Sequence, residues 1–249
     1  MVQDSISAGG TVSQNAIKQL NNIFSKYHIA TGLAILFHVI GFTGIMFGNR
    51  DYFISTTPFN LLLMFVLLLW TQPDKNKWFW LFVAACFAVG VAVEIIGVNT
   101  AALFGYYHYE TALGLQVKNV PLLIGVNWFI IIYCSGIAVH SLLTKIISTL
   151  PEDAPKTATT LRALSVIVDG ATLAVVFDWL MEPVAVKLNY WKWDGDGSIP
   201  VYNYVCWFAV SIVLLALFHY SNFGKRNKFA VNLLLIQVMF FLLLRTFMK

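Results

Sequence analysis

Charge is what this sequence has least of. Only 11% of its 249 residues are Asp, Glu, Lys or Arg, against 59% hydrophobic residues, and the mean hydropathy is +0.74. A soluble domain carries about 25% charged residues, so this chain could not cover its own surface with polar side chains in water. The shortage excludes an ordinary cytosolic enzyme and a disordered segment. Cysteine is scarce as well. Cys86, Cys134 and Cys206 each lie in an apolar run and none forms a CxxC pair, which excludes a disulfide-stapled secreted module and predicts buried free thiols. The opening residues, MVQDSISAGGTVSQNAIKQLNN, lack a basic n-region followed by an apolar h-region, so 1–26 reads as a polar tail rather than a signal peptide. There is no glycine-rich phosphate loop, no HExxH and no GxSxG. Paired Asp-rich motifs that would hold magnesium and a diphosphate are also missing, which argues against a membrane prenyltransferase.

What remains is apolar length. A helix needs about 20 residues to cross the hydrocarbon layer. Seven candidates reach or approach that length: 27–48, 55–71, 78–98, 121–143, 161–181, 202–220 and 229–247. The second requires Pro58 in its first turn for the helix to survive. Without repeats or low-complexity tracts, the reading is one membrane domain over 1–249, an all-α polytopic helical bundle. Two connections are long. The segment 99–120 is too apolar for a free loop and too short for a span with turns, which predicts an interfacial or re-entrant helix over the mouth of the bundle. The segment 182–201 carries Trp191 and Trp193, placed like interface anchors.

The formal net charge of +4 reads as basic residues collected at the cytoplasmic rim, not as a nucleic-acid surface. With seven spans, ten Lys and Arg fall on the side of the N-terminus and six on the other. That bias predicts a cytoplasmic N-terminus and an outward C-terminus.

Ionisable residues within spans mark functional sites by default. Glu94 ends the third span, and Asp178 and Glu182 lie at i and i+4 at the end of the fifth, on one helix face. Asp169, nine residues before Asp178, faces roughly the opposite side and reads as an inter-helix lock. The alternation of span directions brings Asn127 and Trp128 to the same depth, with Tyr202, Asn203 and Tyr204, and the 99–120 connection adds Tyr106, Tyr107, His108, Tyr109 and Glu110. Three carboxylates with few matching cations cannot all be structural locks, and burial favours a neutral acid among them. Such an acid facing an apolar pocket is a general acid, and surrounding Tyr and Trp rings can enclose a long apolar substrate and stabilise a cation. His108 and Glu110 form an H-x-E, but two ligands do not make a metal site, so no metal is expected. His28, His38, His140 and His219 lack ligand spacing, and Gly44 and Gly48 form a GxxxG of the kind that permits close helix contact.

The segments carrying this cluster resemble the bacterial and archaeal membrane family of carotenoid biosynthesis proteins, whose characterised members are carotenoid 1,2-hydratases of the CruF type, including bisanhydrobacterioruberin hydratases. The resemblance runs from about residue 85 to 210. It rests on EIIGVNTAALFGYYHY at 94–109, LGLQVKNVPLLIGVNWFIIIY at 113–133, FDWLMEPVAVKLNYWKW at 177–193 and IPVYNYVCW at 199–207. Two positions depart from the family pattern: Glu182 stands where an Asp precedes the Pro, and Cys206 stands before Trp207 where a glycine is expected. The resemblance implies water addition to the terminal double bond of an acyclic or monocyclic carotenoid taken from the bilayer, without a cofactor. Protonation at C-2 would leave a tertiary cation at C-1 for water to capture. Asp178 would donate the proton, with Glu182 or Glu94 orienting water or sharing the proton. Asn127, Asn203, Tyr107, His108 and Tyr204 would contact substrate, and Trp128, Trp179 and Trp191 would wall the pocket. Other carotenoid pathway enzymes are the expected protein partners. A carotenoid end-group cyclase or isomerase starts with the same protonation, and a transporter is the alternative of a different class, although a carrier is expected to show a midplane site and an inverted repeat.

Overall fold

The computed structural model describes residues 26–149 and 158–248; the expected polar tail, apart from Lys26, lies outside them. Eight α-helices account for most of these residues: α1 (Lys26–Phe47), α2 (Arg50–Ser55), α3 (Thr57–Thr71), α4 (Lys77–Thr100), α5 (Leu123–Ile147), α6 (Ala158–Lys187), α7 (Val201–Tyr220) and α8 (Lys228–Phe247). Six of them are long and apolar enough to cross a membrane. The other apolar helix, α3, has 15 residues, about 22 Å at the helical rise and short of the roughly 30 Å of hydrocarbon. It does carry Pro58 in its first turn, where the missing N–H costs nothing. The surface is apolar: Ile35, Leu36, Val39 and Ile40 on α1 and Leu81 on α4 all point outward, as lipid-facing side chains do. This is an all-α polytopic membrane bundle.

Local sequence sets the helix starts. Asn76 caps α4 by accepting from the N–H groups of Trp78 and Phe79, and Asn227 caps α8 by accepting from Phe229 and Ala230. α5 is the central helix, buried almost throughout from Ile124 to Ile137, with α4, α6, α7 and α8 packed around it. The GxxxG of α1 serves a local contact: a Cβ on Gly44 would stand 2.3 Å from the Phe53 ring of α2. Asp169 is exposed on α6, so the expected inter-helix lock is not made there.

α6 continues to Lys187, past the expected end at 181 and through Pro183. A proline inside a helix leaves the carbonyl four residues earlier without its donor. That carbonyl belongs to Trp179, and Arg245 of α8 supplies the missing hydrogen bond at 2.8 Å while its guanidinium stacks over the Trp179 ring at 4.0 Å. α6 can therefore run one and a half turns further and carry Glu182 at full helical order.

The connection 99–120 does cover the mouth of the bundle, but not as a helix. Beyond the left-handed Ala101 that ends α4, it forms β1 (Tyr107–Tyr109), a 3-10 turn (Thr111–Leu113), β2 (Gln116–Val117) and β3 (Val120–Pro121). β1 pairs antiparallel with β4 (Trp191–Trp193), and β2 pairs with β3. Positive φ at Phe104, Gly105, Gly114, Lys118 and Asn119 breaks any helical run. Aromatic residues at every second position suit a strand with one buried face.

Candidate active site

α4 and α6 end, and α5 and α7 begin, at the same end of the bundle, beneath the β1–β4 ladder. Three carboxylates meet there in one cavity: Glu94 from α4 and Asp178 and Glu182 from successive turns of α6, none more than 4% exposed. They differ in how well they are held. The Glu94 Oε2 accepts the hydroxyls of Tyr107 at 2.5 Å and Tyr109 at 2.8 Å, and its Oε1 accepts the Trp128 indole N–H at 3.0 Å. Glycines flank it on the same helix face. A Cβ on Gly90 would stand 2.6 Å from Trp128 Cγ, and one on Gly97 would stand 2.8 Å from the Tyr107 hydroxyl. The bare helix face thus lets both donors reach the carboxylate.

Glu182 accepts two indole N–H groups on a single oxygen, from Trp191 and Trp193, each at 3.0 Å. Asp178 has one donor, the Asn203 amide at 2.9 Å on Oδ2, while its Oδ1 is buried without a hydrogen-bond partner. The strand ladder explains this division. Tyr107 pairs with Trp193 and Tyr109 with Trp191, so the period-two alternation turns four aromatic rings inward, two donating to each glutamate. His108 and Lys192 alternate outward. Lys192 meets Glu110 at 2.5 Å and His108 meets Asp194 at 2.9 Å on the exposed face. The Lys192 ammonium holds the Glu110 carboxyl below its ordinary range. Burial, with the Glu94 charge added, pushes the Tyr107 and Tyr109 phenols up, so both remain protonated donors at any physiological pH. No Lys or Arg lines the cavity among the described residues.

The cavity between the acids has a volume of about 20 Å³, room for one water molecule with several polar partners. It continues into apolar space. A pocket of about 60 Å³ shares Ile124, Asn127, Met181 and Trp191 with it. That pocket in turn shares Leu61, Asn127, Tyr190 and Phe241 with a cavity of about 540 Å³ bounded by α1, α2, α3 and α8. Asn127 lines all three. The arrangement can hold a proton on a dry acid, seat one water and receive an apolar chain from one side.

Of the residues singled out in the sequence, Glu94, Asp178, Glu182, Asn127, Tyr107, Trp191 and Asn203 line the acid cavity. Trp128 stands behind Glu94 as its donor, stacked on Trp207 with centroids 3.8 Å apart. Three residues are elsewhere. Trp179 is 49% exposed and serves the Pro183 carbonyl repair, so it is no wall of the pocket. His108 is on the outer face of the ladder because its strand alternates, and Tyr204 is half-buried off the cavity. Cys206 also lies off the cavity, where its sulfur accepts the Phe104 N–H at 3.3 Å, a role a glycine could not take. Tyr109, which the sequence brought to this depth without a role, lines the cavity too, and Trp193, read there as an interface anchor, is a site residue that sequence reasoning missed. The signal was present in YHY and WKW, where aromatic residues alternate with a polar one.

Fold and site define a class: a helical membrane protein with a caged trio of carboxylates at one end of its bundle, opening onto apolar cavities. The family model described as carotenoid biosynthesis protein matches residues 54–249, and the chain belongs to that family. No curated protein and no solved structure matches it. A role in carotenoid biosynthesis follows from membership.

Proposed function

We propose that the protein is a carotenoid hydratase that adds water across the terminal double bond of an acyclic or monocyclic carotenoid. The observation that carries this reading is the unequal holding of the three acids around a water-sized cavity. Glu94 takes three donors, Glu182 two and Asp178 one. The acid with the fewest donors in a dry pocket is the costliest to charge, so Asp178 is the one that carries the proton. It protonates C-2 of the terminal isopropylidene, which enters through the apolar pocket past Met181 and Ile124. The tertiary cation at C-1 then faces the rings of Trp191 and Tyr107 and the anionic glutamates, groups that stabilise positive charge. Water adds to C-1, and its surplus proton passes to Glu182, whose Oε1 takes no donor among the described residues. Return of that proton to Asp178, one turn away on the same helix face, restores the starting state.

The basic-residue bias would place this site in the outer half of a prokaryotic plasma membrane. A polar space sized for one water supports capture of the cation by water over its loss of a proton in cyclisation. The test is expression in a host making lycopene, with chromatography and mass spectrometry of the pigments beside an Asp178→Asn control. The expected result is a product heavier by one water, reduced about 10³-fold in the variant. A new product of unchanged mass would identify a cyclase or isomerase instead. Unchanged pigment here and in hosts making monocyclic or longer acyclic carotenoids would overturn the enzyme reading and return transport to the front.

A further inference from the structure

Asn127 stands near the start of α5, is 9% exposed, and makes no hydrogen bond among the described residues. An unpaired buried amide is costly, and inside a bilayer no bulk water relieves it. Unlike the Asn60 Oδ1, neither of its amide atoms is sealed off, so the amide opens onto the spaces that Asn127 lines. Those are the acid cavity, the apolar pocket of about 60 Å³ beyond it and the large cavity behind that. The amide therefore sits at the passage between the acids and the apolar space. Its backbone is firmly placed, because the next residue, Trp128, donates to Glu94 at 3.0 Å and stacks on Trp207. The other amide lining the acid cavity, Asn203, is committed to Asp178 at 2.9 Å. Glu182 Oε1 is open to the cavity as well and takes no donor among the described residues, since both indoles donate to Oε2.

We propose that Asn127 holds the attacking water and thereby decides the fate of the cation. The inference rests on the hydratase reading and deepens it. The terminal isopropylidene is a hydrocarbon and offers an amide no partner, so water is the reactant that Asn127 can bind. Its Nδ2 donates to one lone pair of the water, and Glu182 Oε1 accepts one of the water's hydrogens. The second lone pair is then left for C-1. Capture forms the C–O bond, and the accepted proton moves to Glu182. Without a held water the cation leaves by another exit. It returns a proton from C-2 or from a methyl group to a carboxylate, which restores or shifts the double bond and leaves the mass unchanged. Asn127 thus separates hydration from isomerisation, whereas Asp178 serves both.

The experiment counts protonation and capture separately. The full chain, purified in detergent, is incubated with lycopene in deuterium oxide. Mass spectrometry follows the hydrated product and the deuterium that enters pigment without added water. Wild type should turn most protonation events into hydrated product. Asn127→Leu is close in shape and removes an unpaired amide, so it should melt no lower than wild type. It should lose hydration about 100-fold, the cost of a misplaced reactant. Deuterium should still enter lycopene or its isomers in that variant, because Asp178 delivers a deuteron to C-2 and a protium leaves the cation in its place. Asp178→Asn should suppress both signals. Hydration that persists in Asn127→Leu, or hydration and exchange that fall together in the folded variant, overturns this inference and leaves the hydratase reading standing. A wild type that adds no water to lycopene, or to monocyclic or longer acyclic carotenoids, overturns the hydratase reading and this inference with it.

Discussion

The two ends of the bundle treat buried polar groups in opposite ways. At the end where α3 finishes and α8 begins, the groups around Gln72, Tyr133 and Asn227 are neutral and mutually paired. Tyr133 donates to Gln72, whose amide donates to the carbonyls of Asp74 at 2.9 Å and Gly224 at 2.8 Å. Asn227 donates to Thr71 and to Tyr133, each at 3.2 Å, while its own oxygen caps α8. At the other end the acceptors are carboxylates, their donors are indoles, phenols and one amide, and the supply is uneven. Asp178 Oδ1 has no hydrogen-bond partner among the described residues. A fully satisfied neutral network specifies how helices pack. An under-satisfied acidic one has protonation states left to change, which is what chemistry needs. The lesson is that neither buried polarity nor a single unpaired atom, such as those of Ser135, Ser211 and His219, identifies a site; surplus capacity on carboxylates gathered in one cavity does.

The comparison breaks most visibly if the acid cage can lose its donors without consequence. Trp191→Phe combined with Trp193→Phe removes both hydrogen bonds to Glu182 and keeps the rings. Water addition should fall about 100-fold, as expected when a proton acceptor loses the groups that orient it. Pigment analysis at matched protein levels measures it, and a double variant with wild-type product yield would remove Glu182 from the mechanism. The opposite end should behave in the reverse manner. Asn227→Ala leaves Tyr133 and the first turn of α8 short of partners, so stability should drop by about 2–3 kcal/mol. Thermal melting reports this, while product formed per folded molecule should hold. Next in size is Arg245→Met, which orphans the Trp179 carbonyl freed by Pro183 and should cost about 1–2 kcal/mol. Restoring the helix with Pro183→Ala in the same chain should recover most of that loss.

Much of this was legible in the sequence for a physical reason. Apolar runs of spanning length announce themselves, and the alternating direction of successive spans is enough to bring Glu94, Asn127, Asp178 and Asn203 to one end. The ladder was harder to see. Trp191 and Trp193 satisfy the description of interface anchors equally well, and only the pairing with Tyr107 and Tyr109 across more than 80 residues turns them toward Glu182. Trp179 misled because adjacency to Asp178 in sequence is a rotation of about 100° on a helix, enough to carry it outside. The large cavity depends on how α1, α3 and α8 lean together, a tertiary fact with no local signature.

The smallest expected effect sharpens the comparison from outside, on the exposed face of the same ladder that carries the cage. Glu110 and Lys192 are paired there at 2.5 Å, yet both are solvent-accessible, and exposed ion pairs contribute little. Lys192 lowers the Glu110 pKa in the folded state. The pair's contribution is therefore complete above the unfolded glutamate value, about 4.3, and disappears as pH falls through the lower folded value. Glu110→Gln should match wild type in product yield, and any small deficit in melting temperature should be flat above pH 8, where the Lys192 partner acts without a charged His108 4.0 Å away. That deficit should vanish under acid conditions below the carboxylate range, where both chains carry a neutral side chain at position 110. A variant that instead lost activity at neutral pH would show that the outward face of β1 and β4 positions the inward one, and the division between a reactive interior and an inert exterior would have to be redrawn at His108 and Lys192.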